Sequence, residues 1–254
     1  VSSFSASPAL HRSMAGPYGQ KGKYSIVALS PTVAYFTVNN TYLPNTELPY
    51  TGDQFAKVGK IDITNAQDPQ VILAGPFPQL SGPSPKEDYV SSLILGPNGS
   101  IWFTLSGSNK IGQLTNNLQN ATPATDTDAT LRTTGFGESG SKGTAPMGLA
   151  KDSSGNIWFA RTNRVDPLLK SLGKFNPAAF PVVTSYAGPS SNIFQPNTFY
   201  HPDACVEVAN NKVFLSYSNS YTLTGMTTAG ELVTMKNLST DIPGASGVGC
   251  MVKG

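Results

Sequence analysis

Apolar and polar residues alternate in short bursts along this chain, and the bursts recur. Ser92–Thr104 reads Ser-Leu-Ile-Leu-Gly-Pro-Asn-Gly-Ser-Ile-Trp-Phe-Thr, and Gly148–Ala160 reads Gly-Leu-Ala-Lys-Asp-Ser-Ser-Gly-Asn-Ile-Trp-Phe-Ala. Each predicts a strand, a tight turn and a second strand. Asn98-Gly99 and Ser154-Gly155 supply the turn, because such pairs tolerate the positive φ angles of a two-residue hairpin. Two degenerate copies align on the aromatic pair, with Tyr35-Phe36 and Phe214-Leu215 in place of Trp-Phe. The first strands of the four copies then start at Ile26, Leu93, Leu149 and Cys205. A fifth start falls in Gly247–Val252 and puts Cys250 in the same slot.

A third strand carrying a glycine follows each pair, at Val58–Ile61, Ile111–Leu114, Leu172–Phe175 and, more weakly, Thr224–Met226. A fourth follows at Val71–Leu73, Ala129–Leu131, Val182–Tyr186 and Leu232–Met235. Four antiparallel strands in a repeat of roughly 40–55 residues describe one blade of a β-propeller. Helical periodicity is absent, and 20 Pro and 25 Gly punctuate the short strands. The expected fold is therefore all-β, a propeller of four-stranded antiparallel blades forming a single domain over residues 1–254. The starts predict five blades, or six if the long first interval holds another. The last start lacks downstream partners, so Val1–Lys23 is expected to add outer strands, closing the ring by pairing the N- and C-terminal segments. Residues 38–57 and 160–170 read as insertions between second and third strands.

The run Gly96-Pro97-Asn98-Gly99-Ser100-Ile101-Trp102-Phe103-Thr104, followed by Asn109-Lys110-Ile111-Gly112-Gln113-Leu114-Thr115, resembles the repeat of the streptogramin B lyase (virginiamycin B lyase-like) propellers. That family repeats a Gly-Pro-Asp-Gly turn, a Trp-Phe-Thr-Glu strand and an Ile-Gly-Arg-Ile strand. Asp152–Phe159 with Leu172–Phe175 fits it less fully. The resemblance implies a propeller acting on or binding a small organic ligand at the mouth of its central channel. The family's Glu is replaced by Leu105, and the equivalents elsewhere are Val38, Arg161 and Tyr217. The lyases use paired histidines, an acidic residue and magnesium. This chain has only His11 and His201, so their chemistry is not carried across residue by residue.

Composition narrows the setting. Apolar residues make up 39% and charged residues 13%, so the chain is neither disordered nor membrane-spanning. A net charge of +2 with scattered basic residues argues against a nucleic-acid partner. The polar opening Val1-Ser2-Ser3-Phe4, a low lysine content and sequons at Asn39, Asn98, Asn120 and Asn237 fit a secreted, glycosylated monomer. So Asn- and Ser/Thr-rich a chain also shows sequons by chance.

Propeller ligand sites are built from loops entering the first strands and loops joining second to third strands. The first class contains Asp88, Tyr200, His201 and Asp203, and the second contains Arg161 and Tyr217. His201 is the candidate general base with Asp203 beside it. The alternative is a histidine packed on Pro202 and hydrogen-bonded to a loop carbonyl. Asp88, Asp203 and Glu207 offer hard oxygen ligands for magnesium or calcium, which would make the protein a metal-assisted lyase or lactone hydrolase. The alternative for Glu87-Asp88 is a solvated turn. Glu207 lies within a first strand, where alternation points it at the channel. Arg161, Tyr217, Asp88 and Tyr200 are the candidate ligand-binding set. Trp102 and Trp158 share a slot and either fill the gap between sheets or stack on sugar. Cys205 and Cys250, in equivalent first-strand slots, either pair as a disulfide or stay as two buried thiols too far apart to bridge. The competing function is a non-catalytic module recognising a carbohydrate or a protein.

Overall fold

The computed structural model describes residues 25–38, 57–74, 90–105, 110–114, 118, 129–132, 145–162, 172–179, 182–186, 204–217 and 222–237. Their regular structure is four antiparallel sheets of four strands, each sheet running in chain order. Sheet 1 holds β1 (Ile26–Ala28), β2 (Val33–Val38), β3 (Lys57–Asp62) and β4 (Gln70–Ala74). Sheet 2 holds β5 (Val90–Leu95), β6 (Ile101–Leu105), β7 (Lys110–Leu114) and β8 (Ala129–Arg132). Sheet 3 holds β9 (Ala145–Lys151), β10 (Ile157–Thr162), β11 (Leu172–Phe175) and β12 (Val183–Tyr186). Sheet 4 holds β13 (Ala204–Ala209), β14 (Lys212–Tyr217), β15 (Thr222–Thr227) and β16 (Leu232–Asn237). The first strands are neighbours in space: β5 lies against β1, β9 against β5, and β13 against β9. That arrangement is propeller-like.

Alternation along each strand divides the side chains between the two neighbouring sheets. Tyr35, Val58 and Ala74 of sheet 1 pack on Leu93, Ile101, Phe103 and Leu105 of sheet 2. Trp102 and Ile111 of sheet 2 pack on Leu149, Ile157, Phe159 and Phe175 of sheet 3. Trp158, Ala160 and Leu172 of sheet 3 pack on Val206, Val213, Leu215 and Met226 of sheet 4. The tryptophan slot thus faces forward along the row and the phenylalanine slot faces back. Trp102 and Trp158 are 1% and 0% exposed, which makes them inter-sheet core and rules them out as sugar platforms.

The strand glycines have a steric cause. Phe36, Phe103 and Phe159 pair across the ladder with Gly59, Gly112 and Gly173. Each ring lies over its glycine so closely that a Cβ there would overlap it.

The turns differ from the expectation. Leu29, Gly96 and Asp152 donate their amides to the carbonyls of Val33, Ser100 and Asn156, so three residues make each bend in sheets 1 to 3. Asn98 and Gly99 do take positive φ, 56° and 73°. Only sheet 4 turns in two residues, Asn210 and Asn211, at φ 50° and 57°, between the paired Ala209 and Lys212. That shorter turn corrects the repeat alignment by one residue. Val206, not Cys205, stands opposite Leu215 as Leu93 stands opposite Phe103 and Leu149 opposite Phe159. Cys205 takes the preceding register, shared with Ser25, Ser92 and Gly148. The expected outer strands in Val1–Lys23 and the fifth start at Gly247–Val252 lie outside the described residues.

Candidate functional site

Antiparallel chain order puts one set of strand ends together. Leu105, Thr162 and Tyr217 end their second strands opposite the first-strand starts Val90, Ala145 and Ala204. In sheet 1 the amide of Thr37 donates to the carbonyl of Ser25, 3.0 Å, at the same end. Arg161 pairs with Pro146 and Tyr217 with Ala204, so two members of the candidate ligand-binding set come to one rim. Lys57 and Lys110 open third strands there too, opposite Val38 and Leu105. Sequence reading did not single them out, because a lysine at a strand start carries no pattern of its own. Asp88, Tyr200, His201 and Asp203 lie outside the described residues, as do Cys250, Asn39 and Asn120. Asp88 stands two residues before β5, and Asp203 immediately before β13.

Glu207 does not join that rim. It is the fourth residue of β13 and pairs with Phe214. Val206 and Val208 on either side pack toward sheet 3, so Glu207 occupies the opposite face, looking away from the described row. The sequence expectation is that alternation points it at the channel; the described residues place it on the sheet face away from sheet 3. Three residues of extended chain separate Glu207 from Ala204, about 10 Å, against ligand distances of about 2.5 Å around calcium. Among the described residues no three His, Cys, Asp or Glu side chains are grouped to hold a metal.

The buried described carboxylate, Asp152, sits at the other end of the sheets, in the β9–β10 turn. Its Oδ1 accepts the amides of Ser154 (3.0 Å) and Asn156 (2.9 Å), and its Oδ2 accepts Asn156 Nδ2 (3.0 Å) and Trp158 Nε1 (2.9 Å). Burial alone would raise its pKa, but these hydrogen bonds outweigh it and hold the carboxyl below the usual aspartate value. Its lone pairs are engaged in shaping the turn, so it is a structural acid.

Asn98 is exposed at the tip of the β5–β6 turn, while the hydroxyl of Ser100 in the same sequon donates to the Pro97 carbonyl at 2.8 Å. Asn237 ends β16.

The fold and this rim define an all-β, propeller-like protein. No family model matches the chain, and no curated protein matches it in sequence. Its structure is similar to that of a streptogramin B lyase, with a TM-score of 0.51 and 18% identity over 89% of this chain and 56% of that one. It is also similar to the hydrazine synthase of Kuenenia stuttgartiensis, with a TM-score of 0.52 and 11% identity over 87% of this chain and 51% of that one. A virginiamycin B lyase from Staphylococcus aureus aligns with a TM-score of 0.48 and 18% identity over 91% of this chain and 74% of that one. The chain is structurally related to streptogramin B lyase at low sequence identity and spans 56% of that protein's length.

Proposed function

We propose that this is a secreted propeller that binds a small organic ligand at the rim where second strands end and first strands begin. The observation that carries the reading is the convergence of Arg161 and Tyr217 on that rim, set on strands whose inter-sheet packing is closed. Arginine and tyrosine are residue types that suit an oxygen-rich, partly aromatic ligand. Fold likeness does not choose the chemistry, since a lyase and a hydrazine synthase share it.

The ring is read as five blades, with the fifth sheet supplied by the two ends of the chain. The two outer faces of the described row support this. In sheet 1, Ile26, Phe36, Gly59 and Leu73 form one cross-strand row on the face turned away from sheet 2, and Ile26 and Leu73 are 72% and 39% exposed. In sheet 4, Phe214 and Glu207 occupy the face turned away from sheet 3. The described counterparts within the row, Leu93 with Phe103 in sheet 2 and Leu149 with Phe159 in sheet 3, are buried.

The test is calorimetric titration of the full chain with a streptogramin B compound, followed by mass spectrometry of the compound. Binding that is lost in Arg161→Ala and Tyr217→Ala supports the reading. Turnover abolished by His201→Ala would make the site catalytic. No binding by the wild-type chain overturns this ligand class. A mass shift on enzymatic deglycosylation, absent in Asn98→Gln, tests the secreted, glycosylated state.

A further inference from the structure

Each first strand is an edge strand, so every second backbone amide along it points away from its own sheet. The turn hydrogen bonds fix which ones. Gly96 and Asp152 donate to the carbonyls of Ser100 and Asn156, so alternation leaves the amides of Leu93 and Leu149 on the free edge. In sheet 4 the amide of Thr228 donates to the Asn211 carbonyl, which turns Lys212 toward Ala209. Counting back from that bonded pair leaves the amide of Val206 on the free edge as well.

Serines of the preceding first strand meet the first two of these amides. Ser25 Oγ accepts the amide of Leu93 at 3.1 Å, and Ser92 Oγ accepts the amide of Leu149 at 3.0 Å. Each serine stands just before the backward-facing slot of its own sheet and reaches that slot in the next. Sheet 3 has Gly148 at this register, so the series breaks at the seam between sheets 3 and 4. Gly148 takes φ 58° beside the register shift in β9, a conformation that favours glycine over serine. Val206 is next in the series and is 7% exposed. Among the described residues no acceptor meets its amide. A buried N–H nearly always has one.

The break lies close to the rim. Val206 is two residues from Ala204, which pairs with Tyr217, and Gly148 is two residues from Pro146, which pairs with Arg161. At about 3.4 Å per residue, the Val206 amide stands about 7 Å in from the rim. We propose that this amide is the inner anchor of the ligand site, donating to a carboxylate or carbonyl oxygen of a ligand that enters at the rim. The proposal rests on the rim reading for the way in and narrows its ligand class to organic acids and carbonyl compounds. The position of the anchor follows from the serine series: the equivalent amides at the other two seams are already occupied, and this one is open to a ligand.

The test is an NMR titration of the full, isotope-labelled chain with benzoate, a plain aromatic carboxylate. The expected result is a saturable downfield shift of the Val206 amide proton, with the amides of Leu93 and Leu149 unmoved. Val206→Pro deletes the donor at a position outside the ladder, which an edge strand tolerates, and is expected to weaken benzoate about tenfold. Ser92→Gly takes the hydroxyl away from Leu149 and is expected to make that amide respond too, which keeps the proposal testable if the proline variant does not fold. Arg161→Ala separates the two readings. Benzoate binding that this variant weakens, with the Val206 amide unmoved throughout, overturns the anchor and leaves the rim reading standing. A Val206 shift that is equal in the wild type and in Arg161→Ala supports the anchor and removes Arg161 from the rim reading. No saturable shift in the wild-type chain overturns the anchor, while the streptogramin B titration still decides the rim.

Discussion

Trp158 hangs its indole on Asp152: Nε1 donates to Oδ2 at 2.9 Å, with both groups buried. Sheet 2 meets the same need differently. There the aspartate position is Gly96, where a Cβ would collide with the indole, and Trp102 Nε1 donates instead to Ser100 Oγ at 3.0 Å. A buried indole N–H must find an acceptor, and each turn grows one from its own residues.

Asp152→Ala removes the acceptors of Trp158, Asn156 and Ser154 together. Leaving a buried donor unsatisfied costs about 1–3 kcal/mol, so the urea midpoint falls by a corresponding amount. An unchanged midpoint would show that the indole is held by packing alone.

The same carboxylate makes stability acid-sensitive. Its folded pKa is depressed, so its contribution is fully present above the unfolded aspartate value of about 3.9 and is lost as pH falls through the folded value. Denaturation series from pH 6 down to pH 2 are expected to show this loss in the wild type. Asp152→Asn, which cannot titrate, is expected to show a shallower acid slope.

Gly112→Ala places a methyl group under the Phe103 ring in a packed seam. Overpacking of this kind costs about 1–3 kcal/mol. Combining it with Phe103→Leu opens room, so the double variant is expected to be less destabilised than the sum of the singles. Strict additivity in that cycle would refute the steric account of the strand glycine.

Tyr35 fills the tryptophan slot of sheet 1, and its phenol is pushed up to about 12 by burial, with the charge of Asp62 adding to the rise. A raised folded value gives stability that is complete below the unfolded tyrosine value of about 10 and is lost as pH climbs through the folded one. Absorbance titration is expected to show one tyrosine ionising near the top of the alkaline range. Tyr35→Phe removes that transition and flattens stability between pH 10 and pH 12.

The all-β class and the four strand quartets were legible in the sequence, because alternation and turn residues act between near neighbours in the chain. The shared slot of Trp102 and Trp158 was legible too, since a repeat copies its core positions. The glycine opposite each phenylalanine could be seen as a recurrence but not explained until the ladder register put Gly112 under Phe103. Three things waited for tertiary structure: which sheet each alternating face meets, the one-residue shift made by the two-residue turn at Asn210-Asn211, and the serine ties across first strands. Glu207 shows why. Its place in a strand is local information, but the direction that face looks is set by sheets packing across dozens of intervening residues, where inter-sheet burial and not chain neighbourhood decides the outcome.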